Sequence, residues 1–145
     1  MTEITFYPNR IKAGCKKHIE NYEIELQVIN AFWKGSKLEI ITKESAIAHI
    51  KSYKIIMLIC TNIQNIKQLD DKKIFPLLLE KYDESLNELY DLNKKMVELD
   101  AMKEDDYRLF CETTLKNRNL LKQVCDLGED TECEYEFINR MVRPN

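Results

Sequence analysis

Apolar residues recur three and four positions apart along most of this chain, and that spacing predicts helices. Ile19, Tyr22, Leu26, Ile29 and Trp33 make one such stripe, placing a first helix from about Cys15 to Lys34. Pro8 and Gly14 interrupt the segment before it, so residues 1–14 read as irregular or briefly extended. Gly35 sits where a left-handed helix cap belongs.

Ser36-Lys37-Leu38-Glu39 has the form of a capping box, in which serine and glutamate satisfy each other's free amides. Leu38 to Ile41 could equally form a short strand, because periodicity does not separate the two in so brief a run. A second, more apolar helix runs from about Thr42 to Leu69. Ile47, Ile50, Ile56, Ile59, Ile63 and Ile66 line one side, and Met57, Leu58 and Cys60 widen the face. A helix apolar nearly all round in its middle is expected at the centre, covered by neighbours.

Asp70-Asp71 offers an N-terminal cap, and Pro76 fits only the first turn of the helix it opens. That third helix runs to about Asp100 on a stripe of Leu79, Tyr82, Leu86, Leu89, Met96 and Leu99. A fourth spans roughly Lys103 to Cys125, with Tyr107, Phe110, Cys111, Leu121 and Val124 inward. Between them, Asp100 to Asp106 holds no strong breaker. Gly128 ends the fourth helix, and a second capping box at Thr131–Glu134 opens a short last one with Tyr135, Ile138, Met141 and Val142. The expectation is an all-α fold. Residues 1–145 read as one domain, a bundle of four to five helices behind a short irregular or extended N-terminal segment.

Composition supports a packed globule. The sequence has 145 residues and is 44% apolar, with only three glycines and three prolines to supply turns. Charged residues make up 32% with a net charge of −3, so there is no basic excess to neutralise a phosphate backbone, and nucleic acid is not expected as a partner. The run Ile55–Cys60 is far shorter than the roughly 20 residues of a membrane helix, and no signal peptide is read at the N-terminus. A soluble, cytoplasmic protein with no membrane partner is expected. Cys15, Cys60, Cys111, Cys125 and Cys133 form an odd, scattered set, which suits free thiols in a reducing compartment.

Candidate chemistry is sparse. Cys15 and His18 have half of a zinc-ligand spacing, but no second Cys/His pair completes a tetrahedral set. His49 lies between Ala48 and Ile50. As a base it would need a nucleophile and an orienting carboxylate, and Glu44, five residues earlier, is not squarely on its face. A partly buried histidine bonded to a backbone or side-chain partner is the expected role. No Glu-x-x-His, P-loop or Gly-x-Ser-x-Gly pattern occurs. No catalytic residue, cofactor or metal is assigned, and an enzyme is not expected.

Surface charge remains. Glu129, Asp130, Glu132, Glu134 and Glu136 crowd one short run, and Glu104, Asp105 and Asp106 form a second cluster. Such residues at helix starts are favoured by the helix dipole. They could also form an acidic docking face that steers a basic protein partner. Arg10, Lys12, Lys16 and Lys17 gather near the other end of the sequence, which would polarise the molecule. The function expected is non-enzymatic binding that occludes a partner protein, in the manner of immunity proteins, antitoxins or phage and viral inhibitors. Two alternatives are a groove that takes a partner's amphipathic helix and a self-associating homodimer.

Overall fold

The computed structural model describes residues 7–65 and 73–127, and four helices account for most of them: α1 (Pro8–Ala31), α2 (Lys37–Gln64), α3 (Ile74–Glu98) and α4 (Glu104–Leu127). Helices take 89% of the described residues, and no strand occurs among them. The all-α expectation holds. The segment from Thr131, read as a short fifth helix, lies outside the described residues, as do Asp70, Asp71 and Gly128.

Proline opens α1. Pro8 occupies the first helical position, where its missing N–H would have had no intrahelical acceptor and its fixed φ already suits a helix. The helix therefore begins well before Cys15. Gly14 lies inside it with open space around the missing Cβ, a local weakness that the flanking turns tolerate. The stop also moves. α1 ends at Ala31, leaving Trp33 in the connection and half-exposed, so Gly35 adopts its left-handed φ of 78° in the linker and does not cap α1.

The capping box settles where the next helix starts. Ser36 Oγ accepts from the Glu39 amide at 3.1 Å, and the Glu39 carboxylate accepts from the Ser36 amide at 3.0 Å and the Lys34 amide at 2.9 Å. Those amides favour the ionised carboxylate and lower the Glu39 pKa. With its first turn satisfied, α2 starts at Lys37, and Leu38 to Ile41 are helical instead of extended. At 28 residues α2 is the longest element, about 42 Å of helix.

Successive helices run antiparallel. Lys12 near the start of α1 meets Gln64 at the end of α2 (2.6 Å), while Tyr22 stacks on His49 further along both. Arg118 on α4 holds Asp83 on α3 through two bonds of 2.8 Å, and Tyr90 meets Thr114 at 2.8 Å. α2 packs against both α1 and α3. Ser45, Ala46, Ala48 and Ser52 are all buried on it, and their small side chains let the neighbouring helices approach. Ile59, Cys60 and Ile63 then fill the core with Leu86, Leu89 and Val124.

The α3–α4 turn carries a feature that propensity does not reveal. The Ala101 amide reaches the Met96 carbonyl at 2.8 Å, and the Asp100 amide reaches Val97 at 3.0 Å. This is a Schellman cap with its left-handed residue (φ 56°) supplied by Asp100 in place of glycine. An L-residue held there costs roughly 1–2 kcal/mol, reduced for aspartate. Asp100→Gly is accordingly expected to raise stability by about 0.5–1 kcal/mol and the thermal midpoint by a few degrees. A thermal melt checks it, and a lower midpoint would mean that the aspartate side chain matters more than its backbone.

Candidate docking groove

The apolar pattern of the second helix predicts cover on all sides. The described residues do not supply it. Ile59 and Ile63 are fully buried and Ile50 and Ile56 are half-buried, but Ile47 is 49% and Leu58 51% exposed. Ile66 lies outside the described residues. α1 and α3 cover two sides of α2, and the third carries Ile47, Lys51, Lys54 and Leu58 at steps of four, three and four, a continuous strip of one helical face.

Where this strip meets α3 it opens into a groove of about 440 Å³, lined by Ile47, Ile50, Ile55, Leu58 and Leu78, with Lys51, Lys54 and Lys81 beside them. No carboxylate among the described residues lines it. Lys81 has a surface pair with Glu84 at 3.5 Å. Lys51 and Lys54 make no ion pair or hydrogen bond among the described residues. Lysine stems can extend the apolar wall while their ammonium groups stay in water. The groove thus combines an apolar floor with two lysines that pair with none of the described residues.

A second cluster ties the helices together. His18 on α1 stacks on Tyr53 of α2 with centroids 4.9 Å apart, and Tyr22 stacks on His49 at 4.6 Å. His49 meets Phe110 of α4 edge-on at 6.1 Å, and Phe110 meets Tyr90 of α3 at 5.8 Å. The hydrogen-bonded histidine expected from the sequence is instead held by rings, among the described residues. Burial, and secondarily the nearby His18, push the His49 pKa down to about 4, so the imidazole is neutral at neutral pH. Glu44 is exposed. The contacts of His49 are those of a packing residue.

The thiols lie elsewhere in the core. Cys15, Cys60 and Cys125 are buried and Cys111 is half-buried, and none of the four is in a disulfide, while Cys133 lies outside the described residues. Burial pushes Cys15 up to about 11 and Cys60 up to about 12, which keeps both protonated. His18 is exposed although Cys15 is buried, and among the described residues no group of three His, Cys, Asp or Glu side chains is placed to hold a metal.

Of the acidic residues singled out from the sequence, Glu104, Asp105 and Asp106 come together in the exposed first turn of α4. Arg108 approaches Glu104 at 3.9 Å and Asp105 at 3.8 Å, contacts of little energetic weight in water. Glu129, Asp130, Glu132, Glu134 and Glu136 lie outside the described residues. Arg10, Lys12, Lys16 and Lys17 occupy the first half of α1, at the end of the bundle opposite the first turn of α4.

The groove residues were legible in one respect that periodicity obscured. Lys51 and Lys54 share a helical face with Ile47 and Leu58, and a face carrying two lysines is rarely covered. Leu78 and Lys81 could be joined to that face only once the register of α3 against α2 was known. No helix among the described residues is long and apolar enough to cross a membrane. No family model, curated protein or solved structure matches the chain.

Proposed function

We propose that the protein is a non-enzymatic binding module whose α2–α3 groove takes an acidic amphipathic helix of a partner protein and acts by occluding it. The observation that carries this reading is the half-exposed pair Ile47 and Leu58 beside Lys51 and Lys54, on the same helix that supplies Ile59 and Ile63 to the core. A helix docked along the groove would cover apolar surface, worth about 25 cal/mol per Å² removed from water. Carboxylates flanking its apolar stripe would meet the lysines and speed encounter. The acidic first turn of α4 gives weaker support to a docking face, because the helix dipole and Arg108 account for charge at that position.

Leu58→Glu puts a charge in the groove at a half-exposed site and should leave the fold intact, which circular dichroism checks. A partner captured by the wild-type chain from its native host, then purified, is expected to bind this variant at least about tenfold more weakly, the order of a lost buried anchor. Reversal of Glu104, Asp105 and Asp106 to lysine should leave that affinity within about twofold, because exposed charges contribute little. The opposite pattern would overturn the groove and make the acidic face the docking surface.

A further inference from the structure

Cys15 and Ile19 fix the inward side of α1, and opposite them on the helix stand Gly14, Lys17, Asn21, Ile24 and Val28, with Phe32 just beyond its end. All six are exposed, and Ile24, Val28 and Phe32 each by more than half. Charge on α1 is segregated. Arg10, Lys12, Lys16 and Lys17 occupy its first half without an acid, and Glu20, Glu23 and Glu25 its second without a lysine or arginine. That order opposes the helix dipole, which favours acids in the first turn and bases in the last, and α1 has neither. The arrangement therefore does not serve the helix alone. Lys17 and Glu25 also make no ion pair or hydrogen bond among the described residues. We propose that two copies of the chain pair through this face, antiparallel about a two-fold axis beside Asn21.

A two-fold axis makes the face its own complement. Lys17 of each copy lies level with Glu25 of the other, so the basic half of one helix faces the acidic half of its mate, and the two dipoles oppose. Val28 lies level with Gly14. A Cβ on Gly14 would meet nothing within 4 Å in its own chain, so the bare backbone there is an open notch, and glycine lets a second helix approach closely. Phe32 lies level with Arg10, whose guanidinium already sits 4.8 Å from the Tyr7 ring and can accept a second ring on its other side. Ile24 runs along the stem of Lys17, which covers apolar surface while its ammonium reaches the carboxylate.

The contact is modest in size. α1 is about 36 Å long, and one helix diameter is about 10 Å, which places the pair near or just below the roughly 1,200 Å² at which specific interfaces begin. A dissociation constant of about 1–100 μM is expected for it. No residue of α1 lines the α2–α3 groove. Pairing therefore leaves both grooves open, and a dimer would present two of them to a partner that carries two acidic helices. The pairing itself does not depend on what the groove binds.

Sedimentation equilibrium of the full chain, from about tenfold below to about tenfold above that range, is expected to show a monomer–dimer equilibrium. Gly14→Leu gives the sharpest test, because its two effects have opposite signs. It fills empty space in the single chain and replaces a poor helix former, so the thermal midpoint measured below the dimer range should rise by a few degrees. In the pair it blocks the notch, so the dimer should weaken at least about tenfold. Lys17→Glu and Glu25→Lys should each weaken the dimer roughly five- to tenfold at low salt, and the double variant should restore it to within about twofold, which only a crossed charge pair predicts. Leu58→Glu in the groove should leave the dimer unchanged. A chain that stays monomeric throughout would overturn the inference and leave the stripe to a different partner. So would a dimer that Gly14→Leu does not weaken, or that the double charge variant does not restore. A dimer dissolved by Leu58→Glu would place the contact at the groove and sink the α1 pairing, while loss of partner binding in that variant with the dimer intact would leave both readings standing.

Discussion

Ile59→Ala is expected to destabilise the bundle by about 2–5 kcal/mol, the range for truncating a fully buried isoleucine. Ile59 is 0% exposed and belongs to the same packed cluster as Leu86, Leu89 and Val124. Truncation removes three methyl-sized carbons from a site where α2 is already held by α1 and α3, so the surrounding helices have little freedom to collapse into the space. Ile47→Ala supplies the contrast on the same helix. At 49% exposure its side chain has not left water, and its loss should cost about 1 kcal/mol or less. Urea unfolding of both variants gives the comparison directly. Equal losses would mean that α2 is not inserted between its neighbours, and the groove would lose its foundation.

The distance between what the sequence announces and what the fold does is clearest on α2. Its middle is apolar nearly all round, interrupted by Lys51 and Lys54 on one face, and the apolar part of that pattern reads as a helix covered by its neighbours. Among the described residues the helices cover only part of it, and the remainder forms the groove. Local chemistry was easier to read. The Ser36–Glu39 capping box needs residues only three apart, so the start of α2 comes from it directly. Pro76 likewise falls in the first turn of α3. Pro8 misled because proline breaks a helix from within but begins one at its first position, and the two cases look alike without knowledge of the preceding chain. Asp100 was invisible for a different reason. A Schellman cap usually announces itself through glycine, and here an aspartate accepts the left-handed conformation at some cost. Function lies further from the pattern still. The acidic clusters were conspicuous in sequence, whereas the groove arises from register between α2 and α3, which no single-helix pattern encodes.

Acid should weaken this fold before the carboxylates begin to titrate, and His49 is the expected cause. Its pKa is about 4 in the folded chain, against an ordinary 6.5 once unfolding frees the ring. The unfolded state therefore takes up the proton first. Stability from His49 is fully present above pH 6.5, falls as pH drops toward 4, and changes no further below that. The full difference corresponds to up to about 3 kcal/mol, with roughly half of it lost by about pH 5 to 5.5. The groups packed around the imidazole explain why it resists charging. Tyr22 stacks on one face, Tyr53 and Phe110 lie beside it, and after burial the charge interaction with His18 opposes protonation of the ring. No carboxylate contributes to its shift. Denaturant unfolding of the wild type and His49→Phe at intervals from about pH 7.5 to pH 5 isolates the effect, because phenylalanine preserves an aromatic ring and carries no proton. The wild type should lose stability steadily below pH 6.5 while the variant stays nearly level until about pH 5, where exposed carboxylates begin to protonate. Parallel curves for the two chains would show that His49 is solvated in the folded state, and that the ring stack joining α1, α2 and α4 is looser than its 4.6 Å and 6.1 Å separations imply.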